Sequence, residues 1–135
     1  MSESPLDVLI GAWQVEIRHQ AFPDEVIAGR QTFEWVLGRA FVQQQWTVDH
    51  PDFPDAIGLF GPETYHWFDT RGVVRRFRLS IGDGGWRLQR EDHDFWQRFA
   101  GRFGSDGSTI TGAWDMSHDH GATWEHDLAI QYTKS

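Results

Sequence analysis

The most constraining feature of this chain is its punctuation. Turn signals recur every eight to twelve residues: Leu37-Gly38-Arg39, Gly61-Pro62, Asp69-Thr70-Arg71-Gly72, Gly82-Asp83-Gly84-Gly85, Ser105-Asp106-Gly107 and Asp119-His120-Gly121. Each supplies a Gly that accepts positive φ, or an Asp or Ser that bonds nearby backbone. The runs between them are short and rich in Trp, Phe, Val, Ile and Thr, which suit strands. Ten strands are predicted, over residues 12–19, 29–37, 40–48, 56–60, 64–69, 73–81, 85–91, 96–103, 108–116 and 123–132. Their mostly hairpin-length connections favour antiparallel, up-and-down order. Ten meandering strands leave two open edges unless they close on themselves. The expected fold is therefore all-β, a closed barrel with an interior cavity. A short helix is expected ahead of the first strand: Ser4 suits its N-cap, Pro5 its first position and Asp7 its first turn. Leu6, Leu9 and Ile10 would form its apolar side.

Composition narrows the function. At 135 residues the chain reads as one domain spanning 1–135, large enough to bury a core without a staple. It has no Cys, which removes disulfides, thiolate metal sites, cysteine nucleophiles and iron–sulfur clusters. With 12 Lys and Arg against 20 Asp and Glu, the net charge is -8, the wrong sign for a nucleic-acid footprint. No apolar run approaches the ~20 residues of a membrane span. The acidic, polar start is neither a secretory signal nor a transit peptide, so a cytoplasmic location is expected. All the basic residues except Lys134 are Arg, so any one Arg is a weak functional signal by itself.

Alternation assigns faces along each strand. The predicted inner face carries Trp13, Val15, Ile17 and His19; Phe33, Trp35 and Leu37; His66 and Phe68; Arg75, Phe77 and Leu79. It continues with Trp86, Leu88 and Arg90; Gln97, Phe99 and Phe103; Ile110 and Trp114; then Trp124, His126, Leu128, Ile130 and Tyr132. The strand at 40–48 is ambiguous, since Phe41, Gln43, Gln45 and Thr47 oppose Val42, Gln44, Trp46 and Val48. Tyr65, Trp67, Trp46 and Trp96 fall out of phase. They would form an outer patch suited to a homodimer contact, be capped by loops, or signal that the strand phase is assigned one residue out.

Gly11-Ala12-Trp13, after a short helix and opening the first strand, resembles the Gly-x-Trp signature of lipocalins and other calycins. Further along come Phe33-Glu34-Trp35-Val36-Leu37-Gly38, Phe68-Asp69-Thr70-Arg71-Gly72-Val73, Gln97-Arg98-Phe99 and Asp106-Gly107-x-x-Ile110-x-Gly112-x-Trp114. Trp124-Glu125-x-Asp127-x-x-Ile130-x-Tyr132 follows. In this order they are similar to a bacterial family of uncharacterised small proteins with a calycin-like barrel, shaped like fatty-acid-binding proteins and nitrobindin. The resemblance spans about residues 6–133 and implies a fold more than an activity. Nitrobindin implies haem held by a His near the C-terminal strands, a region where this chain has His126. The opening Gly11-Ala12-Trp13-Gln14-Val15-Glu16 lacks nitrobindin's longer Gly-x-Trp-x-Gly-x-Gly. Separately, Ser117-His118-Asp119-His120-Gly121-Ala122-Thr123-Trp124 fits the Asp-box pattern Ser-x-Asp-x-Gly-x-Thr-Trp, a structural hairpin in many β proteins.

Several residues could carry chemistry. Arg75 and Arg90 on an inner face imply anions, either protein carboxylates or a ligand head group. His66 and His126 could contact a ligand, act as acid or base, or remain satisfied core residues. His118 and His120 are expected in an exposed turn rather than in a metal clip. Glu91-Asp92-His93-Asp94 reads as a solvated loop. No Walker loop, nucleophile elbow or Rossmann fingerprint is present, and no metal or cofactor is expected. The leading expectation is a binding protein for a small hydrophobic molecule, with an anionic group as one option. Trp35, Phe77, Trp86, Phe99, Trp114 and Trp124 would wall the cavity, and Arg75, Arg90, Gln97, His66 and His126 would anchor polar groups. The alternatives are an isomerase, cyclase or hydrolase using His126 or His66, a haem protein, and a fully packed interaction module.

Overall fold

A computed structural model describes residues 4–82 and 84–135. Asp83 of the expected turn at 82–85 and the first three residues lie outside the described residues. A single-turn 3₁₀ helix, Pro5–Leu9, is followed by ten strands: β1 (Gly11–His19), β2 (Ile27–Val36), β3 (Phe41–Val48), β4 (Ala56–Phe60), β5 (Thr64–Asp69), β6 (Val74–Gly82), β7 (Gly85–Glu91), β8 (Trp96–Phe103), β9 (Thr109–Ser117) and β10 (Glu125–Lys134). Each pairs antiparallel with its sequence neighbours, and β1 pairs with β10, so the meander closes. Closure leaves no edge to template aggregation. The helix starts as the sequence implies. Ser4 Oγ accepts from the Leu6 N–H at 3.2 Å, and Asp7 reaches back to the Ser4 N–H at 3.0 Å. This reciprocal cap supplies acceptors for amides that a helix start leaves orphaned.

One end of the barrel is packed shut. The helix folds Leu6 and Leu9 against it, and the fully buried Trp13 donates its indole N–H to the Leu9 carbonyl at 2.9 Å. Its ring meets Tyr132 edge-on. Truncating such a side chain to Ala costs about 3–5 kcal/mol. Phe33, Val42, Phe60, Leu79, Trp86, Phe99 and Ile110 fill this half. Glycine in the wall makes room for them: a Cβ on Gly112 would sit 2.7 Å from the Phe99 ring.

A polar layer lies inside the barrel wall. Tyr65 Oη donates to Gln44 Oε1 at 2.5 Å, and Gln44 Nε2 donates to Gln31 Oε1 at 2.6 Å. Gln31 also faces the Tyr132 hydroxyl. A Cβ on Gly58 would fall 2.4 Å from both Gln44 Oε1 and the Tyr65 hydroxyl, so the layer depends on that missing side chain. Bonded groups in a low-dielectric interior polarise one another, and they fix rotamers that apolar packing leaves looser.

The faces follow alternation with three exceptions. On β5 the phase is opposite to expectation: Tyr65 and Trp67 point in, while His66 and Phe68 point out. Tyr65 opposes buried Phe60 and Phe77, and Trp67 opposes Arg75. Aromatics at four successive positions, 65–68, hide the period. On β10 a bulge between His126 and Leu128 reverses the phase, so Leu128 faces Trp114 inward and His126 faces Asp115 outward. β2 ends at Val36, and Leu37 is exposed in a turn at φ 53°. On β3, Val42, Gln44 and Trp46 take the inner face. Tyr65, Trp67 and Trp46 therefore form no outer patch. The exposed apolar strip is instead Ile57, Phe68 and Val74, side by side on β4, β5 and β6.

The chain's only two tyrosines are both in the interior, where desolvation pushes each phenol above its usual value. A phenol whose folded pKa is raised leaves stability intact below about pH 10 and withdraws it as pH climbs further. Absorbance near 295 nm should therefore show no phenolate until the barrel unfolds. Both tyrosines should then ionise in one step that coincides with loss of the far-UV circular dichroism. Ionisation of either tyrosine in the folded protein near pH 10 would contradict this packing.

Candidate functional site

The opposite end is not filled. A cavity of about 310 Å³ opens there, walled by Trp46 from β3, Trp67 from β5, Arg75 and Phe77 from β6, Gln97 from β8, Trp114 from β9 and Leu128 from β10. Phe77 and Phe99 pack against Trp114 at 5.6 and 5.1 Å between centroids, joining the cavity floor to the packed half. The expected interior is thus half core and half pocket.

Loops form the mouth. Phe22 from the β1–β2 connection and Phe53 from the β3–β4 connection cluster with His19 and His50, with ring centroids 4.9–6.1 Å apart. Both imidazoles are tied down. His19 Nδ1 accepts from the Ala21 N–H at 3.0 Å, so its proton is on Nε2, which faces Asp127 at 3.0 Å. His50 Nδ1 accepts from the Asp52 N–H at 3.1 Å, and its Nε2 faces Glu25 at 3.5 Å. These histidines tie the mouth loops together. Neither presents a free nitrogen lone pair to the cavity.

The two expected arginines have different surroundings. The Arg90 side chain is 8% exposed and fully engaged. It donates to the Phe95 carbonyl at 2.9 Å and to Asp94 at 3.0 and 3.2 Å, with Asp92 at 3.4 Å. The loop read as merely solvated thus supplies Arg90's counter-ions, and Arg90 is not a free anchor. Arg75 makes no hydrogen bond or ion pair among the described residues. Its nearest defined contact is the face of Phe95, 5.2 Å away. Burial, and then the nearby Arg90 and Arg71, lower its pKa from the usual arginine value, while Asp69 and Asp94 act from a distance in the opposite sense. Arg71, also at the cavity, is neutralised by Asp69 at 2.6 Å. Burial acts to raise the Asp69 pKa, but hydrogen bonds from Arg71 and Trp67 hold its carboxyl well below the usual range. Arg75 is therefore the unpaired cation of the cavity wall.

Four buried side-chain polar atoms lack a protein partner among the described residues: Gln31 Nε2 and Trp86 Nε1 in the packed half, and the Gln97 amide oxygen and Trp46 indole N–H on the cavity side. Gln97 and Trp46 both line the cavity. Buried polar atoms are nearly always satisfied in folded proteins, which makes the two beside the cavity notable.

Of the residues expected to bind ligand, Arg75, Gln97, Phe77 and Trp114 meet at this cavity. Trp86 and Phe99 lie in the packed half and stack on each other at 5.0 Å. Trp35 sits at the closed end under the Arg39 guanidinium, 4.3 Å above its ring. Trp124 is outside the barrel, 4.0 Å beneath Arg98, because it precedes β10 rather than belonging to its inner face. His66 and His126 are also outside, for the reasons of phase and bulge given above. His126 is 54% exposed beside Asp115, so neither can act on an interior ligand. Haem does not fit this interior either: His126 faces solvent, and both nitrogens of His19 are engaged. Among the described residues no group of three His, Asp or Glu is placed to hold a metal ion. Sequence reasoning missed Trp46, Trp67 and His19 as cavity residues, although His19 had the right phase.

The Asp-box segment forms a hairpin turn. Asp119 bonds the Ser117 hydroxyl and the Thr123 amide, each at 2.8 Å, and also the Thr123 hydroxyl. Ser117 Oγ accepts from the Gly121 N–H at 2.8 Å. Trp96, not Trp124, packs against Gly121.

The comparisons with known proteins bear on the fold. No family model matches the chain, and no match was found among curated proteins. Among solved structures it is similar to Rv2717c from M. tuberculosis, with a TM-score of 0.62 and 14% identity over 100% of this chain and 99% of that one. At that identity the likeness is one of fold alone. No helix of the described residues is long and apolar enough to cross a membrane.

Two stability measurements check this assignment of roles. Arg90→Met should cost about 2–3 kcal/mol in urea unfolding, since it strips charged hydrogen bonds from a buried side chain. Arg75→Gln should cost less than about 0.5 kcal/mol, or stabilise slightly, because it breaks no protein contact. Separately, the hydrogen bonds from Thr123 and then Ser117 pull the Asp119 pKa down to about 2. A depressed carboxylate contributes stability above its unfolded pKa and loses it as pH falls through the folded one. Asp119→Asn should therefore be less stable than the parent at pH 6, with the gap closing between about pH 4 and pH 2.

Proposed function

We propose that this chain is a calycin-like binding protein that holds a small, mainly apolar organic anion in the open half of its barrel. The observation that carries the reading is the unpaired Arg75 set in an aromatic wall. An arginine without a counter-ion, half-buried among Trp46, Trp67, Trp114 and Phe77, is costly in the empty protein and favours a carboxylate there. The cavity volume of about 310 Å³ is at the lower end for ligand pockets and suits a compact molecule better than a long acyl chain. The tied-down histidines and the carboxylate-bound Arg71 and Arg90 offer no acid–base pair to a bound molecule, which favours binding over catalysis.

The test is titration with phenylbutyrate and with its neutral primary amide, read by intrinsic Trp fluorescence and by calorimetry. The acid should give a saturable change, and the amide should bind about tenfold more weakly. Arg75→Gln should weaken the acid about tenfold and leave the amide unchanged. The absence of saturable binding by any such acid, or equal binding of acid and amide, would refute the reading.

A further inference from the structure

Resting on the reading of the cavity as an anion-binding site, we propose that its occupant is a compact aromatic carboxylate carrying a separate O–H or N–H donor, and that Gln97 selects for that donor. Three features fix the chemistry. Arg75 is the arginine of the cavity wall that makes no ion pair or hydrogen bond among the described residues. The Trp46 indole N–H is a second unpartnered donor, and a carboxylate can accept from both. The Gln97 amide oxygen is an unpartnered acceptor on a side chain more than nine-tenths buried. A simple hydrocarbon acid would satisfy the first two and leave Gln97 buried against apolar surface, which is unfavourable. A hydroxyl or N–H on the ligand completes it.

The two polar contacts come from different strands. Arg75 is on β6 and Gln97 on β8, with β7 between them, so their backbones stand two strand spacings apart, about 10 Å. Acid and donor are therefore separate groups on the ligand, met by different strands. The ligand meets Trp46, Trp67, Phe77 and Trp114, whose rings favour a flat aromatic partner through offset or edge-on packing. The volume of about 310 Å³ accommodates one or two fused rings with short substituents.

Calorimetry with phenylacetate, 4-hydroxyphenylacetate and 4-methoxyphenylacetate tests this directly. The hydroxyl compound should bind about tenfold more tightly than phenylacetate, and the methoxy compound, which has no donor, should lose that gain. Gln97→Leu should abolish the preference, with phenylacetate binding more tightly because it no longer buries an unpartnered amide oxygen. Gln97→Glu, as a second variant, should disfavour all three acids by adding negative charge. If phenylacetate binds through Arg75 but the hydroxyl brings no gain, or if Gln97→Leu leaves the gain intact, the selection by Gln97 is wrong and the anion site still stands. If none of the three acids binds, both readings fall.

Discussion

The structure depends on one constraint: a ten-strand meander must pair its first strand with its last. The β1–β10 ladder, from Trp13 opposite Lys134 to His19 opposite Leu128, closes the sheet and sets its girth. Eight strands enclose about the space that side chains can fill, and ten enclose more. The surplus has to be dealt with somewhere. At one end it is filled by a helix cap and large rings around Trp13. At the other end it remains as the cavity, under the hairpin loops that carry Phe22 and Phe53.

The Tyr65–Gln44–Gln31 layer gives the interior a polar feature that apolar packing alone would not. Its cost is limited because nearly every group in it is bonded, and Gly58 makes the bonds possible by leaving space. The Arg pair shows the same physics with opposite outcomes. Arg90 has a loop of carboxylates folded onto it and is a structural cation. Arg75, two strands from Gln97, makes no ion pair among the described residues. Charge, burial and the lack of a partner at one residue distinguish the proposed site from a scaffold element here, while residue type does not.

The architecture was largely legible from residue order. Turn chemistry at Gly72, Gly107 and Gly121 places the hairpins, and all ten strands fall within about two residues of their expected bounds. The helix cap is readable from Ser4, Pro5 and Asp7. The site was only half legible, for two physical reasons. Alternation is informative only when the two faces differ in chemistry, and Tyr65-His66-Trp67-Phe68 offers aromatics to both. One extra residue at Asp127 then reverses the phase of β10, which carries His126 out of the barrel. Such a bulge is set by the pairing partner and has no marker in the strand itself. Nor does the sequence distinguish Arg75 from Arg90, since what separates them is the fold of residues 92–95 over one guanidinium. The Gln31 amide shares its parity with Phe33 and could have been read as interior.

The account rests on the open half of the barrel being a preformed anion-binding cavity. The most direct measurement is a crystal structure grown with 4-bromobenzoate and phased at the bromine absorption edge. One strong anomalous peak is expected, enclosed by Trp46, Trp67 and Trp114, with the carboxylate on the Arg75 guanidinium. Bromine confined to the outer surface, with the cavity closed by repacked side chains, would contradict it.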